Sequence, residues 1–244
     1  KGKIAECLPP WGHFYANVDD KFVLDIANKI SVSKTYYGSS GDVVLKSSNI
    51  LSDDLMEIDV EPIGKLNIPL CPVNHIYNFL LAIAVAVKHG IQIDEKDLFD
   101  VYYRTGRIKV LEKNHFNIID DSYNANPLSM SSSLDYLLLK SKGGFKCAVL
   151  GDMLELGEEA EKWHTELGRE VGRKGIDILF LFGDYSEKVK SGAIEVGMKN
   201  VYCFDSHKEI AEAIKTKVPQ GAWILVKGSR GMTMEKVIDH LAGK

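Results

Sequence analysis

The sequence lacks three features that would place it in a specialised class of proteins. It has four cysteines but no C-x-x-C pair, a pattern typical of reduced thiols rather than of a disulfide framework or a zinc site. The longest apolar run, Leu80 to Val87, is far shorter than the ~20 residues that cross a bilayer. The net charge of -4 leaves no strong basic excess for binding a phosphate backbone, so we expect no membrane span and no nucleic-acid partner.

The composition is that of an ordinary globular protein. Hydrophobic residues make up 45% and charged residues 26%, which excludes a fibrous or disordered chain. A length of 244 residues exceeds the usual domain size of roughly 100 to 200, so we expect two domains. Lys1 to Glu6 lack the apolar core of a signal peptide and resemble the interior of a longer sequence. Together with the reduced cysteines, this predicts a soluble cytoplasmic protein, which we expect to be a monomer.

The region before residue 106 shows a mixture of strand and helix patterns. His13 to Val18 has strand composition, and Asp19-Asp20 stands where an N-cap would begin a helix. Lys34 to Leu70 alternates and is interrupted by glycine and proline, which predicts short antiparallel strands. Apolar residues recur at helical spacing from Asn74 to Lys88, and Gly90 provides the end of that buried helix. The pattern predicts a mixed sheet with helices.

A break at Thr105-Gly106 follows a second helix that Asp94 begins, and it marks the predicted domain boundary. We therefore assign residues 1–105 and 106–244 to separate domains. In the second domain strands alternate with helices, and the strands are predicted at 107–111, 116–121, 146–150, 177–182, 201–204 and 222–227. Strands separated by helical segments of ~10 to 15 residues imply right-handed crossovers and a parallel, Rossmann-like α/β sheet.

Three predicted strand ends in the second domain carry polar or glycine-rich segments. They are Asp120 to Pro127, Gly151 to Gly157 and Lys227 to Gly231. Ligands of open parallel sheets bind beyond the carboxyl ends of strands, so these segments are the candidate site. A simpler interpretation of the first segment is a helix-capping turn, because Asp, Ser and Asn satisfy backbone donors at helix starts and Pro127 suits a first helical turn.

The order of these segments resembles the Mur ligase family of ATP-dependent amide-bond ligases. DDSYNANP at residues 120–127 resembles the signature of its D-alanyl-D-alanine-adding members. LGDMLELG at 150–157 and KGSRGM at 227–232 resemble two further family segments in the expected order. Gly106-Arg107, NVDD at 17–20 and Asn78 resemble three more. The resemblance covers the whole chain and implies part of the family's central ATPase domain followed by its carboxyl-terminal Rossmann-like domain.

The resemblance also implies roles for single residues on the nucleotide side. Asp121 occupies the position whose carboxylate holds the ATP ribose hydroxyls, a role suited to an acceptor-only group. Arg107 matches the hinge arginine that reaches the nucleotide phosphates. The other residues expected to contact the nucleotide or the incoming amine are Tyr123, Asn124, Asn126 and, in the first domain, Asn78.

On the amine side, the resemblance makes Lys227 and Arg230 the candidate catalytic residues. With Ser229 they form the expected dipeptide patch, in which Arg230 would pair with the dipeptide carboxylate. The implied reaction uses ATP and Mg²⁺ to phosphorylate the terminal carboxylate of UDP-MurNAc-tripeptide. The amine of D-alanyl-D-alanine then attacks the acyl phosphate, and phosphate leaves. Metal ions and cationic side chains would stabilise the charge on the transferring group.

The chain departs from the family pattern in several places. It has no G-x-x-G-K-[ST] phosphate loop and no domain for the nucleotide-sugar substrate, so we expect an incomplete chain that is inactive alone. The family's His-Asn helix motif is reversed here as Asn74-His75. Lys1-Gly2-Lys3-Ile4 resembles a family Lys-Gly-Glu-Ile segment whose lysine is carbamylated to hold magnesium, which makes Lys1 a candidate metal-site residue.

Two alternatives and four side chains stay open. The chain could derive from another Mur or folylpolyglutamate-type ligase, against which YNANP and KGSRG argue, or it could be a non-catalytic binding fragment. Asp152 and Glu155 suit either a strand-end turn or a site. His164 lies among several glutamates, which predicts a solvated helix face rather than a base. His75 is expected to be a packed or capping histidine, since no ligand residue shares its face.

Overall fold

The computed structural model describes residues 2–105 and 108–243, apart from the side chains of Ile4 and Thr105. The chain divides into two units, Lys1–Thr105 and Gly106–Lys244. Over the described ranges, every helix is too short or too polar to span a bilayer.

The first unit contains one sheet and four helices among its described residues. In chain order the elements are α1 (Gly2–Glu6), β1 (His13–Asn17), α2 (Lys21–Lys29), β2 (Ser33–Gly38), β3 (Val43–Ile50), β4 (Leu55–Glu61), β5 (Gly64–Pro69), α3 (Val73–His89) and α4 (Glu95–Thr105). The predicted helix boundaries are confirmed at two places. The Asp20 carboxylate accepts hydrogen bonds from two backbone N–H groups at the start of α2, and Gly90 ends α3 with a left-handed φ of 64°.

The sheet of the first unit is mixed, as expected, but the direction predicted for one strand is wrong. Its order is β1-β2-β3-β4-β5, and β3, β4 and β5 pair antiparallel. β2 instead pairs parallel with both β1 and β3. Because α2 connects β1 to β2, the chain returns to the same end of the sheet before β2 begins, which makes that pair parallel. The parallel contact between β2 and β3, which residues 39–42 connect, is limited to two residue pairs, Tyr37 with Val43 and Gly38 with Val44. Alternation of apolar residues carries no information about that direction.

The second unit is built from six strands and five α-helices among its described residues. They are β6 (Lys109–Lys113), β7 (Phe116–Asp121), α5 (Pro127–Ser141), β8 (Lys146–Gly151), α6 (Ala160–Arg173), β9 (Ile178–Phe182), α7 (Ser186–Glu195), β10 (Val201–Phe204), α8 (His207–Lys217), β11 (Trp223–Lys227) and α9 (Glu235–Leu241). The sheet order is β10-β9-β8-β11-β7-β6. The predicted α/β alternation is therefore confirmed.

The prediction of an all-parallel sheet is wrong at one edge. β7 to β11 pair parallel with their neighbours, whereas β6 pairs antiparallel with β7. Only Asn114 and His115 connect β6 to β7, with φ values of 49° and 66°. Two consecutive positive φ values are typical of a type I′ hairpin turn, which reverses the chain within two residues. The connection is thus too short for the crossover that a parallel pair needs.

Helices cover both faces of this sheet. α8 and α9 pack on the face that presents Cys147, Val149, Phe180 and Val226, all fully or almost fully buried. α5, α6 and α7 form a second layer, in which α6 and α7 pack directly on each other. Glycines permit that close contact, because a Cβ at Gly192 would lie only 2.0 Å from the Thr165 carbonyl oxygen. The side chains of β11 alternate between the two faces, so that Val226 and Lys227 point to opposite layers.

Candidate functional site

Three strand ends of the second unit meet at one edge of its sheet. β11, the last strand in sequence, lies between β7 and β8 and pairs parallel with both. This pairing places Lys227 opposite Asp121 on one side and Leu150 on the other. The segments 120–127, 151–157 and 227–231, which lie far apart in sequence, therefore come together beyond the carboxyl ends of the strands.

A buried ion pair links two of these segments. The side chain of Lys227 is only 1% exposed, and its ammonium donates to Asp121 Oδ2 at 2.5 Å and to the Asn124 carbonyl at 2.9 Å. The hydroxyl of Ser133, on α5, donates to the same Oδ2 atom at 2.6 Å. Burial lowers the pKa of the Lys227 ammonium, and the adjacent Asp121 carboxylate opposes that shift. Because the Lys227 ammonium is buried against the Asp121 carboxylate, its position is suited to orienting Asp121.

Ser133 was not among the residues singled out from the sequence. Its signal is a hydroxyl on an otherwise apolar helix face, because Met130, Leu134 and Leu137 of α5 are fully buried around it. A buried hydroxyl on such a face needs a hydrogen-bond partner. Ser133 has two acceptors within reach, the Ser129 carbonyl oxygen one turn earlier in α5 at 2.7 Å and Asp121 Oδ2 at the end of β7.

Several polar residues of the 120–127 segment form turns and a helix cap. Asp120 Oδ1 accepts from the backbone N–H and the hydroxyl of Ser122, at 3.1 and 2.6 Å. Asn126 is the N-cap of α5, where its side chain accepts from the Ser129 N–H at 2.9 Å in a capping box followed by Pro127. The capping interpretation is thus confirmed for Asn126, although a ligand contact through its amide stays a prediction. Asn124 is exposed, and its side-chain oxygen accepts from the next backbone N–H at 2.9 Å.

Two exposed residues from different segments, Tyr123 and Arg230, lie close together beyond the carboxyl ends of the strands. The Arg230 guanidinium carbon lies 6.0 Å from the centre of the Tyr123 ring. Arg230 also donates to Glu235 Oε1 at 3.0 Å, while Oε2 of that carboxylate is buried and has no hydrogen-bond partner among the described residues. Tyr123 is 47% exposed. A guanidinium that lies near an aromatic ring and remains exposed can pair with an incoming carboxylate.

Two hydrogen bonds tie the 151–157 segment to the third strand end. The Ser229 N–H donates to the Asp152 carbonyl at 3.0 Å, and the Leu154 N–H donates to Ser229 Oγ at 2.8 Å. Asp152 is buried, and its carboxylate accepts from the N–H groups of Asp184 and Tyr185. These contacts make Asp152 part of the turn.

The predictions for Glu155 and for the nearby His164 have different outcomes. Glu155 is exposed and has a left-handed φ of 64°, so its carboxylate stands clear of the turn that Asp152 forms. The prediction that His164 lies on a solvated helix face is wrong, since it is fully buried. Of the glutamates near it in sequence, two precede α6 and two, Glu161 and Glu166, lie on α6 outside its buried face. His164 shares that buried face with Leu167 and Val171.

A surface groove adjoins this edge of the sheet, between the start of α5 and α6. Its volume is about 360 Å³, and its lining is mostly apolar. The lining residues are Pro127, Leu128, Ser131, Met153, Trp163, Glu166, Leu167 and Glu170. The two glutamates are engaged at the rim, Glu166 with two arginines and Glu170 with Ser131 and Lys174.

The remaining predicted residues lie elsewhere. Asn78 is an exposed residue of α3 in the first unit, next to Tyr77, whose hydroxyl donates to Asp19 Oδ2 at 3.0 Å. His75 is partly buried with its ring edge-on to Tyr102, at 6.0 Å between ring centres, which confirms a packed histidine. Arg107 and Lys1 lie outside the described residues. Within those residues, no cluster of three histidine, cysteine, aspartate or glutamate side chains is arranged to hold a metal ion.

Comparisons with known proteins show the family of this chain. The family described as Mur ligase, glutamate ligase domain, matches residues 106–230. The UDP-N-acetylmuramoyl-tripeptide--D-alanyl-D-alanine ligase of Bacillus subtilis is 32% identical over 178 residues, which are 71% of this chain and 39% of that protein.

Two solved structures are similar over nearly the whole chain. The crystal structure of MurF from Acinetobacter baumannii superposes with a TM-score of 0.84 at 27% identity, covering 100% of this chain and 54% of that one. MurF ligase from Thermotoga maritima, solved with ADP, gives 0.78 at 25% identity, covering 96% and 54%. The chain thus spans about half the length of these structures, and less of the Bacillus protein.

Proposed function

Since this chain belongs to the Mur ligase family, we propose that it serves the ATP-dependent joining of D-alanyl-D-alanine to UDP-N-acetylmuramoyl-tripeptide. The observation that carries the proposal is the meeting of three motif segments at one sheet edge, where Lys227 contacts Asp121 and Arg230 lies beside Tyr123. ATP would activate the tripeptide carboxylate as an acyl phosphate, which the dipeptide amine then attacks.

The nucleotide side of the proposal rests on Asp121. Among the described residues, both hydrogen bonds to its carboxylate go to Oδ2, from Lys227 and Ser133. The side chain remains 9% exposed at the end of β7, so Oδ1 is the oxygen suited to accept from a ribose hydroxyl. Lys227 would act by holding that carboxylate in place, rather than by contacting substrate. Arg107, Asn124, Asn126 and Asn78 remain predicted nucleotide contacts.

The dipeptide side rests on Arg230. Its guanidinium is exposed, and its ion pair with Glu235 holds it beside Tyr123. A dipeptide carboxylate would compete with Glu235 for this guanidinium, and the Tyr123 ring would cover the dipeptide on one side. Ser229 would hold the turn that carries Arg230.

We propose that magnesium accompanies ATP, where it would offset the negative charge of the phosphates. The described residues offer no three-ligand cluster for it, and Lys1, the predicted metal-site residue, lies outside them. We propose that the charge contributed by this chain at the reacting groups comes from Arg230, with Arg107 as the predicted contact to the phosphates.

The test measures the affinity of this chain for D-alanyl-D-alanine by NMR titration. We expect Arg230→Ala to weaken binding by about 10- to 100-fold, the cost of losing a charged hydrogen bond of about 1.5–3 kcal/mol. The matched control is Lys236→Ala, because Lys236 is an exposed cation on α9 that is not part of the proposed site. L-alanyl-L-alanine tests stereospecificity. Equal affinity of wild type and the Arg230 variant would remove Arg230 from the site.

An ATP-dependent phosphate-release assay separates the alternative ligases. Wild-type protein is mixed with ATP, the nucleotide tripeptide and D-alanyl-D-alanine in one reaction. In a second reaction a folate and L-glutamate replace the nucleotide tripeptide and the dipeptide. Release that depends on the dipeptide would support the proposed reaction and contradict the expectation that this chain is inactive alone. Release that depends on glutamate would point to a folylpolyglutamate-type ligase. Dipeptide binding without release is the outcome expected of a chain that is inactive alone and that contributes dipeptide binding to the reaction.

A further inference from the structure

A fully buried histidine lies beneath the 151–157 segment. His164, on α6, is 0% exposed. Its Nε2 lies 2.9 Å from the backbone nitrogen of Met153, and its Nδ1 lies 2.7 Å from the Ala160 carbonyl oxygen. An N–H group can only donate and a carbonyl can only accept, so Nε2 must carry the lone pair and Nδ1 the hydrogen. The geometry therefore assigns a neutral imidazole with the Nδ1–H tautomer.

The ring is held on its other sides as well. Tyr185 stacks on it with 4.4 Å between ring centres and 14° between planes. Asp152 Oδ1 lies 3.9 Å from Nε2, but that carboxylate already accepts from the N–H groups of Asp184 and Tyr185. A protonated His164 would turn Nε2 into a donor facing the Met153 N–H, and one donor would lose its acceptor. The arrangement thus favours a fixed neutral ring over an ion pair with Asp152.

Hydrogen bonds continue from this ring to the turn that carries Arg230. Met153 lies between Asp152, whose carbonyl accepts from the Ser229 N–H, and Leu154, whose N–H donates to Ser229 Oγ. The Leu154 side chain covers the backbone just after Arg230, because a Cβ on Gly231 would lie 2.9 Å from Leu154 Cδ1. Fixing the Met153 N–H therefore fixes both backbone groups that hold Ser229.

We propose that His164 is a positioning residue, which holds residues 152–154 and, through Ser229, the turn that presents Arg230. The expected effect on the dipeptide rests on the proposed function, whereas the effect on the segment itself does not. If His164 served only to fill space, an apolar side chain of similar size would replace it. Such a replacement leaves the Met153 N–H buried without an acceptor, which is the difference that an experiment can measure.

The experiment compares His164→Leu and His164→Gln in the full chain by NMR-detected amide hydrogen exchange. Leu fills the space without an acceptor, and the Gln side-chain oxygen stands close to the position of Nε2. We expect the Met153, Leu154 and Ser229 amides to exchange about tenfold faster in the Leu variant, relative to Val149 in the core of β8. The Gln variant should restore most of the protection. His115→Asn, at an exposed turn position, should change none of these rates.

Ring-nitrogen spectra of wild-type protein provide an independent signature, because the neutral Nδ1–H tautomer gives a distinct pair of nitrogen shifts. Unchanged relative exchange in the Leu variant, or an Nε2–H tautomer, would overturn the proposal. Dipeptide affinity is then measured in the same variants. Faster exchange with unaltered dipeptide affinity would reject the link to Arg230. If wild type binds no dipeptide, the proposed function fails while the exchange result still decides the role of His164.

Discussion

The buried pair between Lys227 and Asp121 gives a prediction that is specific to this fold. Lys227→Met keeps the length and apolar stem of the side chain but removes the ammonium. The Asp121 carboxylate is then left buried with the Ser133 hydroxyl as its described donor. Removing one partner of a buried ion pair costs about 3–5 kcal/mol, and the remaining hydroxyl places this case near the lower figure. We therefore expect the second unit to lose about 3 kcal/mol of unfolding free energy at neutral pH.

The double variant Lys227→Met/Asp121→Asn separates the ion pair from simple packing. The carboxamide that replaces the Asp121 carboxylate carries no charge and can still accept from Ser133, so the penalty for an unpaired buried charge disappears. We expect the double variant to regain about 2 kcal/mol relative to Lys227→Met alone. The matched control is Lys215→Met, which breaks an exposed pair with Glu212 at 2.8 Å and should change stability by less than about 0.5 kcal/mol.

Urea unfolding followed by tryptophan fluorescence provides the measurement. Trp163 and Trp223 both belong to the second unit, whereas Trp11 is 86% exposed in the first. A Trp11→Phe background therefore makes the signal report the second unit. The reasoning is refuted if Lys227→Met is no more destabilising than Lys215→Met, or if the double variant is as unstable as the single one.

Three further predictions follow from burial and close contact. Gly192→Ala should lower the free energy of unfolding by about 3 kcal/mol, because the added Cβ would lie 2.0 Å from the Thr165 carbonyl oxygen. A loss of less than about 0.5 kcal/mol in the same urea assay would contradict this. A thiol reagent should label the exposed Cys7 in the native protein but Cys147 only after unfolding, because burial removes access to Cys147 and raises the pKa of its thiol; native labelling of Cys147 would contradict this. Burial raises the pKa of Asp152 above its ordinary 3.8, so the folded state binds the proton more tightly than the unfolded state does. The wild-type protein therefore loses stability as the pH rises from 3.8 through the pKa of Asp152 in the folded state. Asp152→Asn should therefore gain stability relative to wild type over that window, and a difference that does not change with pH would contradict the reasoning.

Sequence reasoning succeeded where the signal is local. The cap at Asp20, the end of α3 at Gly90 and the start of α5 at Pro127 depend on backbone geometry that a few neighbouring residues determine. It failed for His164 because charged neighbours in sequence do not share a helix face with it. It also missed the antiparallel edge strand, whose signal was the short turn at Asn114 and His115.

By itself the sequence determined the alternation of strands and helices, the position of each polar segment at a strand end, and the resemblance to the Mur ligase family. Only the tertiary structure decided which strand ends meet. β11 comes last in sequence yet lies between β7 and β8, and this position brings Lys227 against Asp121 and Ser229 against the 152–154 segment. Strand order depends on how helices of the whole unit pack on both faces of the sheet. That packing sums contacts between residues about a hundred positions apart, which no local pattern records.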